Sequence, residues 1–131
     1  MGDVYRSVGG DVDEKVGRVD QDGNVYRTAP QDSDERVGGV DEDGGVYRHL
    51  AMIPDERLGQ VDLKTGKLFR QRPLWPDEHV GWVDSKGNVY RRSEDDDKPD
   101  RRLGKVTGGR AYLEGAGAFF LLLGGADRLG H

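Results

Sequence analysis

Acidic side chains at alternate positions beside glycine have the clearest chemical potential in this chain. Asp20-x-Asp22-x-Asn24 and Asp41-x-Asp43 place oxygen donors at every second position, as the first part of an EF-hand calcium loop does. The rest of that loop, a third acidic position before the glycine and a bidentate Glu at position twelve, is absent. Two later segments of the same form serve as internal controls. Lys86 stands where the second Asp would be, and Leu63 and Lys64 fill the third copy. The same turn is thus written without the ligands. The expected role of these carboxylates is turn formation, with calcium binding as the alternative.

Other reactive types are sparse. His49, His79 and His131 have no partner at helical i, i+4 spacing. His79 occupies a slot held elsewhere by Lys15, Arg36 and Arg57, so it reads as a surface substitution. Nucleophilic catalysis needs a base within reach of the attacking group, and no serine lies in a recognisable nucleophile motif. The run Glu94-Asp95-Asp96-Asp97 reads as a solvated linker. Tyr26, Tyr47, Phe69 and Tyr90 recur once per unit and are expected to pack between neighbouring hairpins, with a sugar-stacking platform as the alternative. No catalytic residue and no cofactor is expected.

These residues are positioned by a repeated phrase, Asp-Glu-basic-Val-Gly-x-Val-Asp-x-x-Gly-x-Val-Tyr-Arg, with its clearest copies starting at Asp13, Asp34, Asp55 and Asp77. A fixed period marks a repeat architecture. Gly17, Gly38, Gly59, Gly81 and Gly104 are spaced by 21, 21, 22 and 23 residues. The pairs Val4-Tyr5, Val25-Tyr26, Val46-Tyr47, Leu68-Phe69, Val89-Tyr90 and Ala111-Tyr112 are spaced by 21, 21, 22, 21 and 22. There are therefore five first halves and six second halves.

Each unit reads as a β-hairpin. Val-Gly-x-Val is one strand, Asp-x-x-Gly the turn and x-Val-Tyr-Arg the return strand. The Asp carboxylate accepts N–H groups just ahead of it. Gly23, Gly44, Gly66 and Gly87 supply the positive φ of a type I turn with a glycine bulge. That loop sets Gly17 opposite Arg27, Arg18 opposite Tyr26 and Val19 opposite Val25. Alternation then puts Val19/Val25, Val40/Val46, Val61/Leu68 and Val83/Val89 inside, with the structural glycines Gly17, Gly38, Gly59 and Gly81. The variable site Arg18, Gly39, Gln60, Trp82 and Lys105 falls outside. Arg27, Arg48, Arg70 and Arg91 are expected to pair with the Asp-Glu that opens the next unit. Linkers such as Thr28–Ser33 are too short for a crossover helix.

The orphan return strand Gly2–Arg6 and the late first strand Leu103–Val106 together make a fifth hairpin, which would close a ring and remove its sheet edges. The competing arrangement takes Ala111-Tyr112 as the local return strand. After Tyr112 the segment Gly115–Ala126 is uncharged and apolar, with Phe119, Phe120, Leu121, Leu122 and Leu123 at its centre. As a helix it is short of the roughly 20 residues of a membrane span, and an apolar helix in a soluble protein must be buried. It is expected to plug the ring; a partner-binding helix or a tail anchor are the alternatives. The expected fold is all-β. A closed ring of short antiparallel hairpin repeats with a period of 21–22 residues occupies 1–112, the plug helix 113–126 and a tail 127–131, as one domain.

Composition narrows the classes further. The 131 residues carry a net charge of −5, include 21 Gly and no Cys, and are 34% hydrophobic. With both signs interspersed there is no basic stripe for a phosphate backbone, so nucleic acid is not an expected partner. Without cysteine there is no disulfide framework or thiolate metal site. The start of the chain has no apolar run, and Arg6 stands where a myristoylation motif wants Ser or Thr. A cytoplasmic, membrane-free location is expected.

The phrase Val-Gly-x-Val-Asp-x-x-Gly-x-Val-Tyr, followed by the small-residue and leucine tail, resembles the bacterial four-fold beta-flower domain from Val4 to Leu123. That resemblance implies short hairpins about a central axis and no catalytic residues to carry over. The unit count departs from it, at five. The turn phrase also resembles WG repeats and choline-binding repeats, although only Trp75 and Trp82 are available for an aromatic cage. The expected function is a non-catalytic structural or interaction module, associating with itself or with another protein. The alternative is a module binding calcium or carbohydrate.

Overall fold

A valine that alternates with a polar or aromatic neighbour must turn one face of its strand away from water. In the computed structural model, which describes residues 2–8, 13–29, 33–72, 74–93 and 97–124, all the inward-predicted positions are buried. The strands are β1 (Gly2–Ser7), β2 (Asp13–Val19), β3 (Asn24–Arg27), β4 (Glu35–Val40), β5 (Gly45–Arg48), β6 (Glu56–Val61), β7 (Lys67–Arg70), β8 (Glu78–Val83), β9 (Asn88–Arg91) and β10 (Arg101–Val106). They form one closed antiparallel barrel in chain order, with β1 lying between β10 and β2. Val4 stands opposite Val106, so the fifth hairpin is made from the two ends of the barrel.

Within each hairpin the register follows from the turn. Gly17 faces Arg27, Arg18 faces Tyr26 and Val19 faces Val25, and the other local hairpins repeat this. Gly23 closes its turn at φ +88°, a conformation that a Cβ disfavours. Between units the ladder slips by one residue, a feature not expected from the sequence. Val16, Val37, Leu58, Val80 and Leu103 are the extra residues of these bulges. All five are partly buried against the core. A bulge twists and bends its strand, and its recurrence between units curves the sheet into a closed wall.

Eight strands make a barrel that side chains alone can fill, and more strands leave a bore. Here ten strands enclose α1 (Ala111–Gly117) and a π-helical turn, Ala118–Leu122. The expected plug is therefore present, with corrected limits. The strands end at Val106, and the helix begins at Ala111 rather than at 113. Ala111-Tyr112 forms its first turn and not a return strand, because Val4-Tyr5 already holds that place beside β10. The helical residues end at Leu122; the expected end at 126 and the tail 127–131 lie outside the described residues.

Plug and wall are complementary in size, level by level. Near the hairpin turns the wall presents valines and the plug presents glycines. A Cβ on Gly117 would stand 2.8 Å from the side chains of Val25 and Val40, and one on Gly115 2.6 Å from Val83. Further along the sizes reverse. Phe119 fills the space beside Gly81, Phe120 that beside Gly59, Leu121 that beside Gly38 and Leu122 that beside Gly17. Four successive plug residues thus meet four successive units in reverse chain order. An α-helix turns once in 3.6 residues, too fast to give one residue to each of five units. The wider i→i+5 winding, seen in the 2.8 Å bond from Leu123 N–H to Ala118 O, comes closer to that angular step. The π turn is the helix adjusting to the repeat number of its barrel.

Candidate interaction site

The turns and the start of α1 lie at one mouth of the barrel, and the linkers and the end of the plug at the other. At the turn mouth the acidic side chains are engaged by their own backbone. Asp20 Oδ1 accepts N–H groups from Asp22 and Asn24, both at 2.9 Å, and its Oδ2 accepts Asn24 Nδ2 at 3.1 Å. Asp41 and Asp84 repeat the backbone pair. Partial burial works against the charged form of Asp20. The bonds from Asn24 and Asp22, with Arg18 nearby, outweigh it and hold the carboxyl below its ordinary range. Asp84 is lowered in the same way by Asn88 and Lys86 against its burial. Asp22 and Asp43 are exposed, Asp43 in a turn whose first N–H bond goes to Asp41. No group of three His, Asp or Glu with metal-holding geometry occurs among the described residues.

Glu114 enters the same mouth from α1 and was not singled out by its sequence context. It is 1% exposed. Its Oε2 accepts the Arg110 N–H at 3.2 Å, while Oε1 has no hydrogen-bond partner. The Arg110 guanidinium reaches across to the Gln21 carbonyl at 2.6 Å, tying the start of the helix to the rim.

At the linker mouth the arginines that close the return strands do two jobs. Arg6 donates to the Leu122 carbonyl at 2.6 Å, and Arg27 lies 3.4 Å from that of Leu121. Positive charge at a helix C-terminus complements the backbone dipole and satisfies its last carbonyls. The expected pairing with the next unit's opening acids holds for Arg70 with Glu78. Arg27 stands opposite Glu35, and Arg48 opposite Glu56, in register. Between β9 and β10 Arg91 instead faces Arg101. A cavity of 430 Å³ opens here, lined in part by Arg6, Arg27, Glu35, Arg48 and Leu122.

The linkers at this mouth carry the largest exposed apolar side chains among the described residues. Met52 and Leu74 are 102% and 101% exposed, with Ile53 and Trp75 beside them in sequence. Met52 and Leu74 also sit at positive φ, 67° and 65°, a region that costs a residue with a Cβ.

The aromatic series lies on the outer wall. It packs within hairpins as well as between them. Trp82 stacks on Tyr90 with centroids 3.9 Å apart and planes at 14°, and Arg18 lies over Tyr26 at 4.0 Å. Phe69 does meet the next unit, at His79 (5.4 Å). His79 is thus a packed, partly buried residue and not a free surface one, with Nε2 3.0 Å from the Gly81 carbonyl. Burial, helped by Arg92 and Lys67, pushes its pKa down. Of the acidic run, 94–96 fall outside the described residues, as does His131, and Asp97 is exposed.

No family model, no curated protein and no solved structure matches this chain. The likeness to four-fold beta-flower domains accordingly rests on the hairpin phrase and the leucine tail alone. No helix among the described residues is long and apolar enough to cross a membrane.

Proposed function

We propose that this protein is a non-catalytic interaction module that docks another polypeptide at its linker mouth. The observation that carries this reading is the pair of apolar linker tips, Met52-Ile53 and Leu74-Trp75, held out at one end of the barrel. Apolar side chains exposed together mark interaction surfaces more often than singly scattered ones do. The rim beneath them offers arginine and glutamate side chains in register, suited to a polar border around an apolar contact. The bore itself is occupied by the chain's own Phe119 and Phe120, so the barrel wall acts as a scaffold for its rims.

The test is selection of peptides from a displayed random library on the intact protein, followed by binding to a variant carrying Met52→Ser, Leu74→Ser and Trp75→Ser. Peptides that bind the native chain and lose the variant support the reading. Failure to enrich any peptide, or equal binding to both proteins, overturns it. Light scattering over a concentration series on the same pair identifies a second copy of the chain as the occupant if only the native protein associates.

A further inference from the structure

The outer wall repeats a small composite site whose floor is the return-strand aromatic ring and whose side is the Asp opening the next unit. In the first unit Arg18 lies over Tyr26 at 4.0 Å, and its Nε donates to Asp34 Oδ2 at 3.1 Å. In the unit that closes the barrel, Lys105 Nζ is 5.6 Å from the Tyr5 ring and 3.9 Å from Asp13 Oδ2. In the fourth, Trp82 stacks on Tyr90 and donates Nε1–H to Asp100 Oδ2 at 2.7 Å. Three units thus fill the site with their own side chain, each reaching both ring and carboxylate. In the third, Gln60 stands opposite Phe69 and accepts a bond from Arg57 at 2.7 Å.

The second unit carries the same ring and carboxylate at the equivalent positions, but its first-strand residue is a glycine that has no side chain to reach either. Gly39 stands opposite Tyr47, and the equivalent carboxylate is Asp55. Space is available there. A Cβ on Gly39 would meet only the Gly23 carbonyl oxygen at 3.4 Å and Arg36 Nη2 at 3.9 Å, which are ordinary contacts. Asp55 is 40% exposed and receives His49 Nδ1 on Oδ1 at 3.1 Å. Arg36 is a cationic neighbour, held by Asn24 Oδ1 at 3.1 Å. Lys15 and Arg102 occupy the corresponding sequence positions in the units where Arg18 and Lys105 fill the site, so such a neighbour does not exclude a cation.

We infer that the Tyr47–Asp55 site is an open receptor for an arginine side chain of a docking polypeptide. An aromatic face with a carboxylate at its edge suits a planar guanidinium, by cation–π attraction and charge-assisted hydrogen bonding. Arg18 shows the same pairing within this chain. Met52 and Ile53, exposed just before Asp55 in the same linker, place an apolar contact next to the slot. The inference deepens the interaction-module reading and rests on it for its biological meaning, but its chemistry is testable by itself.

The experiment is a nuclear magnetic resonance titration of the full chain with acetyl-Leu-Arg-Leu-amide and with the citrulline analogue, which keeps the shape and removes the charge. Saturable shifts of the Tyr47 ring and Asp55 signals are expected with the arginine peptide. The Tyr26 ring, already covered by Arg18, should stay in place, and citrulline should have little effect. The Gly39→Arg variant should lose the response, and its own guanidinium should shift the Tyr47 ring as the peptide did. Unmoved Tyr47 signals, equal shifts with citrulline, or an undiminished response in Gly39→Arg would each overturn the receptor. A negative titration alongside peptides that need Met52 and Leu74 would remove the slot and leave the module reading standing.

Discussion

Gly81 and Phe119 share one space: a Cβ on the glycine would stand 2.5 Å from Phe119 Cε2. The phenyl ring is fully buried there. Gly81→Ala is therefore expected to destabilise by about 1–3 kcal/mol through overpacking, and Phe119→Ala by about 3–5 kcal/mol through the cavity it leaves. The new Cβ would also stand 2.3 Å from the Tyr90 carbonyl oxygen, a clash that loss of the ring leaves in place, so together they should cost less than the sum only by the part of the overpacking that falls on Phe119. Urea unfolding midpoints of the four proteins check this. Strict additivity would separate the glycine from the plug. Gly39→Ala, with open space around it, is the neutral control.

Much of this arrangement is legible in the chain. Counting Gly17 through Gly104 apart from Tyr5 through Tyr112 leaves one return strand too many, and Val4-Tyr5 can be paired only by joining the ends or leaving an edge. The direction of Val25 and Tyr26 follows from the turn length. What was not legible depends on several units at once. Val16 precedes an inward Gly17, and simple alternation cannot show that a bulge turns both toward the core. The winding of Ala118–Leu122 is set by the number of surrounding units, which local propensity does not encode. The repeat phrase places Arg27 beside the next unit's acids. It stands opposite Glu35 in register, and its guanidinium also comes within 3.4 Å of the Leu121 carbonyl, one of the last carbonyls of the helix, which have no partner within it.

The seam between β1 and β10 should be as firm as any internal ladder. Val4 and Val46 are both wholly buried, one at the seam and one inside a continuous hairpin. Replacing either by Ala is expected to cost a similar amount, about 1.5–3 kcal/mol, with a single cooperative transition retained. Thermal unfolding followed by circular dichroism distinguishes this from an open ring, in which Val4→Ala would be nearly silent and Val46→Ala would not.

The outer stack of Trp82 on Tyr90 is expected to contribute beyond simple area burial. Aromatic pairs of this kind couple by about 0.5–1.5 kcal/mol in double-mutant cycles. The cycle of Trp82→Ala and Tyr90→Ala should give a favourable coupling in that range. Asp100 adds to the pair through its bond to the indole Nε1–H. Hydrogen bonds from Ser93 and Trp82 hold the Asp100 carboxyl below its usual range. A coupling of zero would mean that the rings touch without supporting one another.

Acid should weaken the turns. Asp20 and Asp84 are both held below the ordinary carboxylate range. A carboxylate with a lowered folded-state pKa binds fewer protons in the native chain than in the unfolded one. Its contribution to stability is therefore complete above the unfolded value of about 3.9 and disappears as the pH falls through the folded value. The double variant Asp20→Asn, Asp84→Asn keeps an acceptor oxygen for the turn amides and removes the charge. It should be less stable than the native protein at neutral pH, and its stability should fall less steeply below about pH 4, so that the two curves converge in acid. Urea unfolding across the acid range reads this directly. Parallel curves would show that the charge on these two carboxylates does not support the turns, leaving only their geometry to do so.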